Sequence, residues 1–284
     1  MFMSSMNEKL AFPLTVSSGY RENENEAVFT KQFGNSTLSQ AGHIDRADSS
    51  ASSPLIAQTH TRPVAGPDLA TDERGIIEGG PMAAIRYGLE QAQGFMIGDL
   101  HGDTYITEFL QTNMPQFRNE GVGVFFIEMI NSADQDILNR FMETGDRSEL
   151  IDYLHPGWDK GPGWIDSVID VIDAARQQGI EVVGIDIPFS GDDRLETSNP
   201  HWTQVIQGHM SELAEDEKYL VFGGQAHAGD YPGNTGVDAR LGIMSGSFQS
   251  NYHASLPDRK VPAGEAQVNP RANSSSFVFG RPTE

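Results

Sequence analysis

The stretch Phe95-Met96-Ile97-Gly98-Asp99-Leu100-His101-Gly102-Asp103 decides how this chain is read. Three apolar residues run into a glycine, and a cluster of polar side chains follows at once. The pattern returns at Tyr219-Leu220-Val221-Phe222-Gly223, which runs into Gly224-Gln225-Ala226-His227. Between the two, Val122-Gly123-Val124-Phe125-Phe126-Ile127 ends on Glu128. Short apolar runs bounded by glycine read as strands buried on both faces of a parallel sheet. In open α/β sheets, ligands bind in the crevice outside the carboxyl ends of the strands. His101, Glu128 and His227 are therefore expected to meet there from distant positions.

Working outward, helices alternate with these strands. Residues 81–93 carry Met82, Ile85 and Leu89 and stop at Gly94. A second helical pattern covers 104–114, and a third opens at Ser132 and stops at Gly145. Trp164 to Gln178 places Ile165, Val168, Ile169, Ile172 and Ala175 on one face, with Gly179 as its terminator. A strand at 180–187 follows, then a helix over 201–213, and weaker strands are expected at 241–244 and 276–279. Strands alternating with helices predict right-handed crossovers. The fold expected is α/β, a mainly parallel central sheet flanked by helices.

The domain is expected to occupy residues 71–284. Residues 1–70 carry paired serines (Ser4-Ser5, Ser17-Ser18, Ser49-Ser50, Ser52-Ser53) and little periodicity. Such a segment buries too little apolar surface to offset its ordering entropy, so a disordered leader is expected. The formal charge of -21 lacks the basic footprint of a nucleic-acid binder and opposes contact with anionic membranes. No apolar stretch approaches a membrane span of ~18 residues. With no cysteine in the chain, disulfides, thiolate metal sites and a cysteine nucleophile are excluded.

The polar residues at the strand ends are the candidate chemistry. Asp99, His101 and Asp103 fall within five residues, and Asp-x-His puts two hydrogen-bonding or metal-ligating groups on one side of an extended segment. Glu128 must reach a crevice or a partner, since an unpaired buried charge is costly. Asp186 closes the run Val182-Val183-Gly184-Ile185 in the same way. Asp230 is expected to orient His227. Arg194 is a candidate clamp for an anionic or developing oxyanion group, or else a surface partner of Asp192 and Asp193. Gln225 joins Arg194 as a substrate-binding candidate. Alanine at His101 or Glu128 is expected to cost only about 1 kcal/mol of stability.

At these residues the chain resembles the erythromycin-esterase/ChaN-like superfamily, which includes the TraB/Tiki proteases and a domain of the Pasteurella multocida toxin group. Gly98-Asp99-Leu100-His101 resembles that family's Gly-Glu-x-His strand end, with aspartate in place of glutamate. Ile127-Glu128-Met129, followed by Ser132-Ala133-Asp134-Gln135, resembles its second motif, and Gly224-Gln225-Ala226-His227 its third. Arg194 with Asn199 and Trp202 is similar to a segment of the toxin-like members.

The resemblance implies a bacterial type III effector, secreted and delivered into the host cytoplasm of a plant. Residues 1–70 would then hold the export signal, and some such effectors provoke host cell death. It also implies a hydrolase-like crevice in which His101 acts as base, helped by Asp99 or Asp103, and is completed by Glu128 and His227. Esterase-like members imply ester hydrolysis. Tiki-like members imply a protease with a divalent metal, for which His101, Glu128 and His227 are the candidate ligands. The target would be a host protein or a small molecule. Two alternatives stay open: an inactive scaffold that binds a host protein, and a calcineurin-like metallophosphatase. The second would need further metal-binding motifs that the sequence does not contain.

Overall fold

The computed structural model describes residues 69–158, 160–188, 193–212, 214, 216–231, 234–249, 260–269 and 276–282. The expected leader falls almost wholly outside them. Three apolar runs quoted above form β2 (Gly94–Asp99), β3 (Val122–Asn131) and β5 (Lys218–Gly224), and β4 is Glu181–Asp186. Helix α1 (Gly80–Gln91) precedes β2, α2 (Thr104–Asn119) lies between β2 and β3, and α3 (Gln135–Thr144), α4 (Ser148–Trp158) and α5 (Trp164–Gln177) lie between β3 and β4. Then come α6 (Arg194–Met210), α7 (Val237–Leu241) and β8 (Met244–Phe248). Short strands β1 (Ile76–Ile77), β9 (Ala266–Val268) and β10 (Phe277–Phe279) complete the main sheet, while β6 (Asp230–Tyr231) and β7 (Asn234–Thr235) form a small hairpin.

The eight strands lie in the order β1-β9-β10-β8-β2-β5-β3-β4. Every pairing from β10 to β4 is parallel, and only β9 with β1 and with β10 is antiparallel. The expected parallel α/β sheet is therefore present, with an antiparallel margin that the sequence reading did not include. β5 is inserted between β2 and β3, so the strands carrying the three motifs are immediate neighbours.

Alternation along the strands builds two cores. Phe95, Ile97, Phe125, Ile127, Leu220 and Phe222 face one layer with Ile85, Leu110, Val168 and Ile172. Met96, Val124, Phe126 and Val221 face the other, against Trp202, Ile206 and Val237. Both faces are covered, as parallel strands require.

Three expectations are corrected. The helix expected from residue 201 begins at Arg194, seven residues earlier, and Pro200 lies inside it. The strand expected at 241–244 is displaced: Leu241 ends a helical turn, and the strand runs Met244–Phe248. Its middle residue is glycine because the Phe279 ring occupies that space, and a Cβ there would lie 2.2 Å from the ring. β3 continues past Glu128 to Asn131 through a register shift against β4. At the far end of the sheet, the Gln135 side chain bonds β4 twice. Its Nε2 donates to Val182 O at 2.9 Å, and its Oε1 accepts from Gly184 N at 2.9 Å.

Candidate active site

Glu128 is the centre of the site. It shares a strand face with Val124 and Phe126 and is 2 % exposed. Its two oxygens address different imidazoles: Oε2 lies 3.6 Å from His101 Nε2, and Oε1 lies 3.4 Å from His227 Nε2. Gly224 N also donates to Oε2, at 2.5 Å, and Arg194 donates to Oε1 at 2.9 Å. Burial raises the Glu128 carboxyl, but the imidazoles of His227 and His101 and the Arg194 guanidinium outweigh it, so the group stays ionised far below the usual carboxylate range.

Glycine makes this approach possible. A Cβ on Gly223 would lie 2.8 Å from the Trp202 ring and 3.0 Å from Glu128 Oε2, and one on Gly224 would lie 3.0 Å from His101 Nε2. The pair Gly223-Gly224 is thus the space in which the two histidines and the glutamate meet.

His101 sits on the turn between β2 and α2, its side chain 28 % exposed, so solvent and ligands reach it. Its Nδ1 lies 2.8 Å from Asp99 Oδ2. A carboxylate only accepts, so Nδ1 carries the proton and Nε2 is left as the basic nitrogen. Burial pushes the imidazole down and Lys160 adds to this, but Glu128 and Asp99 prevail and its pKa is raised. Burial pushes the Asp99 carboxyl up against the pull of His101. Trp158 and Trp164 stand edge-on to the imidazole at 5.1 and 6.0 Å.

His227 lies on a 3₁₀ turn, Gln225–His227, after β5 and is buried. Asn199 of α6 approaches its Nδ1 through Oδ1 at 2.6 Å. The Asn199 Nδ2 is committed to Thr235 O at 3.1 Å and Asn234 Oδ1 at 3.2 Å, so its oxygen faces the histidine and Nδ1–H donates. Trp202 stacks on the ring at 4.1 Å. The expected orienting partner was Asp230, whose side chain lies outside the described residues.

The remaining candidates separate. Asp186 does not reach the imidazoles; it accepts from Arg194 and, at 3.1 Å, from Trp202 Nε1. Arg194 bridges Asp186 and Glu128, so its guanidinium is part of the cluster, while Asp192, its expected surface partner, lies outside the described residues. Asp103 caps α2 by accepting from Tyr105 N at 3.0 Å and is ion-paired with Arg281, so it serves the loop rather than the cluster. Gln225 opens the turn that carries His227 and lies over Gly98. Asn199 and Trp202 were singled out in the sequence only as part of a toxin-like segment, and their contacts with His227 are legible only in three dimensions.

The donor set does not suit the divalent metal that the resemblance to Tiki proteases would imply. A guanidinium 2.9 Å from Glu128 Oε1 already supplies positive charge where a cation would bind. Among the described residues, no group of three or more His, Cys, Asp or Glu side chains is placed to hold a metal ion. Nor is any helix of the described residues long and apolar enough to cross a membrane.

Residues 89–201 match the family described as "Type III effector protein HopBA1". The chain is 23% identical over 179 residues to the type III effector protein HopBA1 of Pseudomonas syringae pv. aptata, covering 58% of this chain and 74% of that protein. The solved structure of the type III effector HopBA1 superposes with a TM-score of 0.61 at 21% identity, over 77% of this chain and 99% of that one. A structure titled "Bacterial protein toxins" matches with a TM-score of 0.50 at 19% identity, over 60% of this chain and 36% of its own. These structural likenesses show a common fold. The family match and the curated relative make the middle of this chain similar to the type III effector protein HopBA1.

Proposed function

We propose that the chain is an effector hydrolase that cleaves an ester or amide bond in a host-cell target, with His101 as general base. The observation that carries this reading is the single buried carboxylate of Glu128 set between two imidazole Nε2 atoms, at 3.6 and 3.4 Å. Asp99 holds the His101 Nδ1 proton, so Nε2 takes a proton from an attacking water. Glu128, ionised throughout, stabilises the imidazolium that forms. His227, its Nδ1–H held by Asn199, turns Nε2 to the same carboxylate, and in the imidazolium form that nitrogen would donate to the oxygen of the carbonyl under attack. No step calls on a metal. Host cell death is the proposed consequence of the cleavage, and the target is a host protein or a small molecule.

The test compares wild type with His101→Ala in plant leaf tissue at matched protein levels. Loss of an essential base typically costs 10²-fold or more in rate, so the response should vanish. With a chromogenic acyl ester or peptide that the purified protein cleaves, the rate should rise with pH through an apparent pKa above the ordinary histidine value of about 6.5, because the active imidazole is neutral. A His101→Ala variant that accumulates and acts like wild type would replace this reading with that of a host-binding scaffold.

A further inference from the structure

Asp99 is 2 % exposed, and only one of its oxygens is spoken for. Oδ2 takes the His101 Nδ1 proton, while Oδ1 is enclosed and has no hydrogen-bond partner among the described residues. Against the same imidazole lies Trp164, 1 % exposed, whose indole Nε1 is likewise enclosed and without an acceptor among the described residues. The large majority of buried side-chain polar atoms are paired with protein or with ordered water. A buried donor and a buried acceptor flanking one catalytic side chain are complementary, and each answers the other's need.

We propose that Trp164 is a positioning residue for the Asp99–His101 pair. Its indole N–H serves Asp99 Oδ1 across one bridging water and keeps the carboxylate ionised and aimed at Nδ1. Trp164 is placed for this by the backbone. It is the first residue of α5, and Gly163 before it turns the chain at φ 76°. Trp158 provides the contrast. It lies nearer the imidazole, at 5.1 Å, but it is partly exposed, and the Lys160 ammonium sits 5.6 Å over its ring.

Burial and the Glu128 charge work against the ionised Asp99, while His101 and the Leu100 backbone N–H favour it. A donor on Oδ1 would add to the second group. The functional weight of this inference rests on the hydrolase reading, but its measurement does not, so the two can fail separately.

The experiment follows the Asp99 carboxyl by ¹³C NMR across pH in the full chain, in wild type, Trp164→Phe and Trp158→Phe. Phenylalanine keeps the ring and removes the donor. Trp164→Phe should raise the Asp99 pKa by about one unit, a roughly tenfold change in proton affinity. Trp158→Phe should leave it in place. Equal shifts in both variants, or none in Trp164→Phe, would overturn the proposal. Should Trp164→Phe fail to fold, the wild-type indole signal decides. A slowly exchanging Trp164 N–H that moves as Asp99 titrates supports the pairing, and a fast-exchanging one that ignores the titration sinks it.

Discussion

The Asn199 Oδ1 lies 2.6 Å from the Nδ1 of His227, although 28 residues separate the two in sequence. Asn199 is itself anchored to the β7 hairpin at Thr235 O, so α6, the hairpin and the histidine turn are one assembly. A histidine held at Nδ1 by a fixed oxygen has one tautomer and one ring orientation.

Asn199→Ala should therefore lower activity about 10-fold or more while leaving the fold intact, the range seen when an orienting partner is removed. Asn199→Asp keeps an acceptor at Nδ1 and should retain more activity than alanine. The check is the leaf response of each variant at matched abundance, with thermal melts. Wild-type activity in Asn199→Ala would mean that His227 needs no orientation there.

Glu128 carries a second expectation. Its folded pKa is depressed, so its ionised form stabilises the protein above its unfolded pKa of about 4.3. That contribution is lost only as pH falls through the much lower folded value. Acid unfolding measured by circular dichroism in wild type and Glu128→Gln should show the two stabilities converging below pH ~4. At pH 7, Glu128→Ala should cost ~3–5 kcal/mol, because Arg194 loses one of its two carboxylates and Gly224 N its acceptor in a buried place. The small cost expected from the sequence assumed a partly exposed strand end, which the burial of this residue overturns. A loss near 1 kcal/mol in urea titration would show the cluster to be loosely coupled.

The serine-paired composition of residues 1–70 yields a third expectation. Ile76 and Ile77 pair with β9, and Leu69 packs on the core. Limited proteolysis should therefore leave a stable core that starts close before residue 69, and a chain begun there should melt like the full one. Resistance of the whole chain to cleavage would make the leader part of the fold and remove the physical basis for an export signal.

The strands were legible because a strand buried on both faces must be apolar along its length, and glycine marks where the chain leaves it. Gly98, Gly223 and Gly224 announced the site by that logic. The first two turns of α6 were not legible. Pro200 argues locally against a helix running through it, although Asp193 suits a helix start, and what holds Arg194–Asn199 is tertiary: the ion pairs to Glu128 and Asp186 and the bond to His227. Asp103 reads two ways. An aspartate beside a candidate base looks like chemistry, but it also suits a helix start, and it caps α2. The strand at Met244–Phe248 was hidden because its serines and glycine accommodate the Phe279 ring rather than supply apolar bulk.

Gln135 has a consequence of another kind. β4 is the last strand of the sheet, and a terminal strand offers its free amides and carbonyls to any extended chain that drifts past. By bonding Val182 O and Gly184 N with one side-chain amide, Gln135 imitates a ninth strand one residue long. The edge thereby withholds part of the template on which copies of the molecule would otherwise stack side by side.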